Sequence, residues 1–451
     1  MFDTVLIANR GEIACRVIRA CRQLGIKTVA VYSAADSASP HVAMADTAVL
    51  IGPPPAGQSY LNQDAVLEAA TAAHANAIHP GYGFLSENAG FAERCAERGL
   101  VFVGPTPAAI SSMGDKLNAR RLAVEAGMPV VPGTPDAVVD VDDSRAAAAR
   151  IGYPLLVKAS AGGGGIGMSV VRADSQLEAA VRTARSRAGR AFGNDAVFFE
   201  RFLDQPRHIE VQVFGDHAGA LVHLFERECS VQRRYQKVIE EAPSPAVNPV
   251  LRQQLTGAAL NVARRVGYTS AGTIECILDA QRDFYFLEMN TRLQVEHPIT
   301  EAITGCDLVQ AQLRVAMGEP LPWQQADVQL RGHAIECRVY AEDPETFLPS
   351  PGRISRYVEP SLPDVRIDSG VAQGSEVSVF YDPLLAKVIA WGPTRPQAIA
   401  RMVDGLSAFE IEGIRTTIPL HLRALRSAEF ERGDYNTSLL ETLGRSLENV
   451  R

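Results

Sequence analysis

Lys158-Ala159-Ser160-Ala161-Gly162-Gly163-Gly164-Gly165-Ile166-Gly167-Met168 is a glycine-rich run with strand-like residues on both sides, 154–157 before it and 169–171 after it. The run therefore joins two strands. A Walker loop instead closes on Gly-Lys-Ser/Thr and opens a helix, and neither feature is present. Glycines in a hairpin let backbone N–H groups close over phosphates without side-chain obstruction. The adjacent Lys158 supplies a point charge for the same group. Taken alone, the loop also fits a flexible surface linker.

Upstream, apolar runs at 5–8, 28–32, 47–51, 77–79 and 101–103 alternate with helical patterns at 12–24, 64–74 and 88–98. Such alternation predicts a parallel sheet of Rossmann-like layout. The dinucleotide fingerprint is missing, since Asn9-Arg10-Gly11-Glu12 offers one glycine where three are needed. Pro129, Pro132, Gly133 and Pro135 mark a hinge within 128–141, and a compact segment of about 130–204 surrounds the glycine loop. Strands and helices mix up to about 329. A β-rich stretch from 332 to 391 and a helical pattern over 395–406 follow.

Residues 273–278 and 284–290 read as two short strands with a tight connection. Glu275 lies on the first. Glu288 and Asn290 lie two apart on the second and share one face, to which strict alternation also assigns Phe284 and Phe286. Two carboxylates and an amide oxygen suit magnesium, a hard cation that takes oxygen ligands beside nucleotide phosphates. Solvated carboxylates at strand ends look the same one residue at a time. Directly after them, Arg292, Gln294 and Glu296 point the same way if the chain is extended. A guanidinium fork suits an anion, and a neighbouring carboxylate suits a general base on a bound acid. A structural Arg–Glu pair has the same spacing.

The 451 residues correspond to about two to four domains. A formal charge of −8 argues against a general nucleic-acid binder. No apolar stretch approaches the length of a membrane span, and the apolar run at 5–8 is too short for a signal peptide. The seven cysteines are odd in number and include no C-x-x-C pair, which argues for buried thiols and a cytoplasmic location. No H-E-x-x-H or G-x-S-x-G occurs, so zinc and serine-hydrolase chemistry are not expected. Arg182, Arg185, Arg187 and Arg190 read as the exposed face of a helix.

Together these residues resemble the biotin carboxylase family, a branch of the ATP-grasp superfamily, over almost the whole chain. The likeness runs through Ile7-Ala8-Asn9-Arg10-Gly11-Glu12-Ile13-Ala14, His79-Pro80-Gly81-Tyr82-Gly83-Phe84-Leu85-Ser86-Glu87-Asn88 and Met113-Gly114-Asp115-Lys116. It continues through 288–298, Glu336-Cys337-Arg338 and Ala341-Glu342-Asp343-Pro344. The resemblance implies an α/β, ATP-grasp architecture. A Rossmann-like N-terminal domain would cover 1–113, an ATP-grasp domain 114–330 with a mobile glycine-flap lid at about 130–204, and a β-rich C-terminal domain 331–451.

The same resemblance implies an ATP-dependent ligase that carboxylates biotin through carboxyphosphate. ATP would be held by Lys116, Lys158, Gly164, Gly165, Glu200, Arg201, Phe202, Leu203, His208, Gln232, Tyr235 and Ile277. Mg2+ or Mn2+ would fall to Glu275, Glu288 and Asn290, and bicarbonate to Lys237, Arg292, Gln294, Val295 and Glu296. Biotin would face Arg338 and Tyr82, and the catalytic set would be Glu296, Arg292, Lys237 and Arg338. Ile166 replaces a usual Arg and Tyr235 a common His, which implies altered ATP affinity. No Ala-Met-Lys-Met lysine occurs, so biotin is expected on a separate biotin carboxyl carrier protein, with carboxyltransferase subunits as further partners. A homodimer is implied through the helix that carries Arg16 and Arg19, although Gln23 stands where an acidic partner is common. The leading expectation is the first half-reaction of acetyl-CoA carboxylase, in fatty acid biosynthesis. The alternatives are the same step in another acyl-CoA, pyruvate or urea carboxylase, or a degenerate ATP-binding paralogue.

Overall fold

The computed structural model describes residues 2–138, 141–160 and 168–448. Gly164, Gly165 and Ile166 lie outside the described residues. The N-terminal layer contains β1 (Thr4–Ile7), β2 (Lys27–Ser33), β3 (Thr47–Gly52), β4 (Ala77–His79) and β5 (Val101–Phe102). These pair in parallel in the order β3-β2-β1-β4-β5, the Rossmann-like arrangement expected. Val5, Leu6 and Ile7 are wholly buried because helices cover both faces, which explains their unbroken apolar run.

A small antiparallel sheet follows, with β6 (Leu155–Ala159) between β7 (Ser169–Val171) and β8 (Val197–Arg201). Its core of Leu155, Val157, Val171, Val197 and Phe199 packs against the helices Val141–Ile151 and Asp174–Phe192. Arg182, Arg187 and Arg190 are exposed on the second helix, and Arg185 pairs with Asp195 at 2.8 Å.

The largest sheet is built from β9 (Arg207–Gly215), β10 (Leu221–Arg233), β11 (Gln236–Ala242), β12 (Ser270–Leu278), β13 (Phe284–Asn290) and β14 (His333–Tyr340). The short β15 (Gly352–Arg353) and β16 (Arg356–Val358) lie outside it, β17 (Val365–Ser369) belongs to it, β18 (Glu376–Val377) does not, and β19 (Leu384–Gly392) does. The order is β13-β12-β9-β10-β11-β14-β19-β17. Pairing of Glu240 with Glu336 joins β11 to β14, so the β-rich C-terminal segment extends the central sheet.

Alternation then sorts this sheet into a dry face and a charged face. Ile209, Val211, Val213, Ile274 and Cys276 pack beneath the helix Pro249–Val266, and Ile335, Cys337, Val339, Ala386 and Val388 beneath the helix Arg395–Ala408. The opposite face carries His208, Glu210, Gln212, Glu275, Glu336, Arg338 and Lys387, all buried. All seven cysteines are buried free thiols. Among the described residues no helix is long and apolar enough to cross a membrane.

One expectation about the surface changes. Arg16, placed by resemblance on a dimer face, turns inward and donates to Glu301 and Asp307, each at 2.8 Å. Arg19 keeps partial exposure beside Asp368, and Gln23 accepts from Gln310 at 2.8 Å.

Candidate active site

Cross-strand register assembles the charged face. Glu288 on β13 stands opposite Glu275 on β12, Glu275 opposite Glu210 on β9, and Glu210 opposite Arg227 on β10. The next row sets Asn290 opposite Thr273, and Thr273 opposite Gln212. Thus the expected Glu275, Glu288 and Asn290 share one corner of the sheet. The two phenylalanines expected with them do not. The β12–β13 register shifts between Glu275 and Cys276, so Phe286 pairs with Cys276 and turns with Phe284 into the dry core. An irregularity of this kind flips the side-chain alternation beyond it.

Lys237 on β11 is the hub of the site. Its Nζ lies 2.6 Å from Glu210, 2.8 Å from Glu275 and 2.6 Å from Glu296. The other oxygen of Glu296 accepts from Arg338 at 2.9 Å, and Arg338 also donates to Glu240 at 2.6 Å. Burial alone pushes the Glu296 carboxyl up, but Lys237, Arg338 and Arg227 hold it well below the usual carboxylate range. Burial likewise opposes charge on Lys237, and Glu210, Glu275 and Glu296 raise it well above an ordinary lysine. Glu240 is different: burial lifts it to about 7, against the pull of Arg338.

Residues 291–296 are not an extended strand. They form a loop and turn into the helix His297–Thr304, with Glu296 as its N-cap residue. Gln294 and Glu296 still converge, because Gln294 donates to Glu275 at 2.8 Å and accepts from Arg227 at 2.9 Å. Arg292 diverges to Glu87 at 2.9 Å and Asn290 at 2.8 Å. The Val295 carbonyl accepts from Lys387 at 2.8 Å. Tyr82 donates its hydroxyl to Glu12, while Asn9 binds the Tyr82 carbonyl at 2.7 Å.

The candidate nucleotide residues lie on the small sheet, on the large sheet and on the segments next to them. Lys158 and Arg120 both reach Glu200, at 2.9 and 2.7 Å. Arg201 ends β8, with Phe202 and Leu203 half-buried after it. His208 meets Gln232 at 3.0 Å and Glu275 at 3.1 Å, and stands opposite Ile277 in register. Lys116 lies 3.5 Å from Glu288. Tyr235 is 62% exposed in the β10–β11 turn with φ 69°, so its ring lines no closed pocket here.

The Glu275–Glu288–Asn290 corner suits a hard divalent cation by its donor set. Glu288 is half-buried, and the buried Asn290 amide nitrogen has no hydrogen-bond partner. Lys237 and His208 pair with Glu275 from one side and Lys116 approaches Glu288 from the other, so a metal held here would share these carboxylate oxygens with those cations.

The sequence reading gave no role to Glu210, Arg227, Glu240 or Glu87, although Glu87 lies in the 79–88 motif. Arg227 is completely buried, and its guanidinium donates to Glu210, Gln212, Thr300, Thr273 and Gln294. A signal was present in the polar alternation His208, Glu210, Gln212 within an otherwise apolar strand.

Comparison with known proteins shows the family. Residues 1–110 match the biotin carboxylase N-terminal domain, 115–324 the carbamoyl-phosphate synthase L chain ATP-binding domain, and 336–442 the biotin carboxylase C-terminal domain. Biotin carboxylase 2 of Bacillus subtilis (strain 168) is 52% identical over 441 residues, covering 98% of this chain and 99% of that protein. The chain belongs to the biotin carboxylase family. It is accordingly an ATP-dependent carboxylase ligase with the ATP-grasp fold. A pyruvate carboxylase subunit from Methanothermobacter thermautotrophicus is 51% identical, over 99% of this chain and 91% of that one. Among solved structures, the biotin carboxylase domain dimer of Hydrogenobacter thermophilus 2-oxoglutarate carboxylase superposes with a TM-score of 0.95 at 46% identity, over 98% of each chain. That dimer was solved with MgADP, ADP and bicarbonate.

Proposed function

We propose that this biotin carboxylase uses ATP and bicarbonate to carboxylate biotin on a separate biotin carboxyl carrier protein, as the first half-reaction of acetyl-CoA carboxylase. The observation that carries the half-reaction is the Glu296 carboxylate held between Lys237 at 2.6 Å and Arg338 at 2.9 Å. Without substrate, Glu296 is too acidic to be an effective base. Bicarbonate that draws Lys237 to itself weakens the hold of that ammonium on Glu296 and raises its basicity.

Glu296 then removes the bicarbonate proton, and the freed oxygen attacks the γ-phosphorus of ATP. The bond from that phosphorus to the leaving ADP oxygen breaks, and carboxyphosphate forms. Lys116, Lys158 and Arg292 counter the charge, with Gln294 and the Val295 backbone completing the anion cage. Glu275, Glu288 and Asn290 would hold Mg2+, or Mn2+, which when bound neutralises phosphate charge. Carboxyphosphate splits into CO2 and phosphate, phosphate takes the biotin N1 proton, and N1 attacks CO2. Arg338 stabilises the ureido oxygen as charge develops on it, with Tyr82 beside the ring. Glu200, Arg201, Phe202, Leu203, His208, Gln232, Tyr235 and Ile277 bind the rest of the nucleotide; Gly164 and Gly165, assigned to ATP by the resemblance, lie outside the described residues.

Domain boundaries near 113 and 330, a lid over about 130–204, a homodimer and a cytoplasmic location complete the proposal. The Hydrogenobacter dimer supports the assembly. Because a pyruvate carboxylase subunit is 51% identical, pyruvate is the second acceptor to test. ATP hydrolysis with Mg2+ and bicarbonate, with and without free biotin, tests the half-reaction. Bicarbonate-dependent turnover stimulated by biotin is expected, and turnover indifferent to bicarbonate would overturn it. Labelled carboxyl transfer from the carboxylated carrier to acetyl-CoA or to pyruvate, with the matching carboxyltransferase, then assigns the acceptor.

A further inference from the structure

Lys387 is completely buried on the charged face of β19, between Asp368 on β17 and Arg338 on β14. Its ammonium donates to the Val295 carbonyl at 2.8 Å and lies 3.1 Å from Oε1 of Glu12. The Tyr82 hydroxyl donates to that same Glu12 oxygen, and the Lys387 ammonium stands 6.0 Å from the Tyr82 ring centroid. Glu12 opens the helix Gly11–Gln23, Tyr82 follows β4, Val295 precedes the helix His297–Thr304, and Lys387 belongs to the far end of the large sheet. Four segments remote in sequence therefore meet at one buried ion pair.

A buried Lys–Glu pair is weak evidence for a role in stability, since apolar residues of similar volume often replace one at no net cost. Position is what this pair supplies. The Val295 carbonyl belongs to the peptide that leads into Glu296, so the Lys387 ammonium fixes the plane from which the Glu296 side chain departs. Glu12 fixes the direction of the Tyr82 phenol in the same way. We propose that Glu12 and Lys387 are positioning residues that couple the biotin-facing Tyr82 to the bicarbonate-facing loop at Val295 and Glu296. The proposal rests on the substrate placements given under Proposed function.

The test compares Glu12→Gln, Lys387→Met, the double variant Glu12→Gln/Lys387→Met and Tyr82→Phe in the full chain. KM and kcat are measured for bicarbonate, ATP and free biotin, with Tm for each variant. Lys387→Met is expected to raise the bicarbonate KM about fivefold or more, and Glu12→Gln to raise the biotin KM by a similar factor. The ATP KM should stay at its wild-type value in both. The double variant removes both charges of the pair, leaving Asp368 to Arg366 and Arg19, so it recovers Tm relative to the single variants while both elevated KM values persist. Recovery of both KM values together with Tm would overturn the proposal, as would a fall in kcat that tracks Tm with unchanged KM values. If Tyr82→Phe raises the biotin KM and Glu12→Gln does not, the coupling fails while the placement of biotin stands. If Tyr82→Phe leaves the biotin KM unchanged, the placement itself fails and the coupling with it.

Discussion

Glu296 shows how one side chain acquires a function from neighbours that its own segment does not contain. A glutamate that begins a helix is ordinary, and two cations on its two oxygens are not. Glu296→Ala should lower bicarbonate-dependent ATP turnover by about a hundredfold or more, the usual scale for loss of a general base. Its ATP dissociation constant should stay near wild type, as read by nucleotide titration, because its contacts are to Lys237 and Arg338. Arg338→Ala should act later in the sequence, reducing biotin carboxylation at least about tenfold while sparing much of the bicarbonate-dependent ATP cleavage. Comparing phosphate release with carboxybiotin formation checks this. Loss of Arg338 is tolerable to the fold because Glu240, already lifted to about 7 by burial, can take up a proton once its partner is gone. The residue types of Lys237, Arg292, Glu296 and Arg338 were legible in the sequence. Arg227 and Glu210 were harder to recognise, since their partners lie up to 73 positions away in Thr300 and 27 in Lys237.

At the scale of elements, the site depends on strand register. Glu210, Glu275 and Glu288 form a row because β9, β12 and β13 pair at those positions, and a one-residue slip would send each carboxylate into the dry core. Close packing helps hold that register. A Cβ on Gly272 of β12 would stand 2.4 Å from the ring of Tyr268, whose hydroxyl donates to the Ala271 carbonyl at 2.9 Å. Gly272→Ala should therefore destabilise the chain by about 1–3 kcal/mol, read as a lower urea midpoint. The strands themselves were readable from apolar alternation, as were the helices of the parallel layer. The irregularity after Glu275 was not, because an extra residue in one strand leaves no mark on composition. The turn at 291–296 was equally hidden: Arg292, Gln294 and Glu296 have the spacing of a strand, and their hydrogen bonds to Glu87, Arg227 and Lys237 bend the chain out of one.

Over the whole molecule, the continuous eight-stranded sheet brings residues from three sequence regions onto one charged face, and histidines buried in several parts of the chain shape its response to acid. Burial holds His41, His223 and His421 at about 4 and His79 at about 3, and it keeps His297 well below its ordinary value. Each stays neutral in the folded chain while the unfolded chain takes a proton below about 6.5. Their stabilisation is complete above pH 6.5 and is lost as pH falls toward 4, at up to about 1.4 kcal/mol per pH unit for each withheld proton. Burial lifts Glu241, but His333 and Arg395 hold it at about 2, which extends the loss below pH 4.5. Burial raises Glu240 to about 7 and also lifts Glu12, Glu228 and Glu336, and Glu275 raises His208 against burial, so these groups oppose the trend. Tm should decline steadily from pH 6.5 to 4, as scanning calorimetry across that range would show. By itself the sequence determined the alternating parallel layer, the strand-flanked glycine loop, the pair of carboxylate-bearing strands and the residue types of the site, because period and spacing are local properties of a chain. Tertiary structure alone decided that Glu210 and Arg227 stand behind Lys237, that Arg16 turns inward and that Lys387 meets both Glu12 and Val295. Those contacts depend on which strands pair and which segments close over them, and no local pattern encodes that choice.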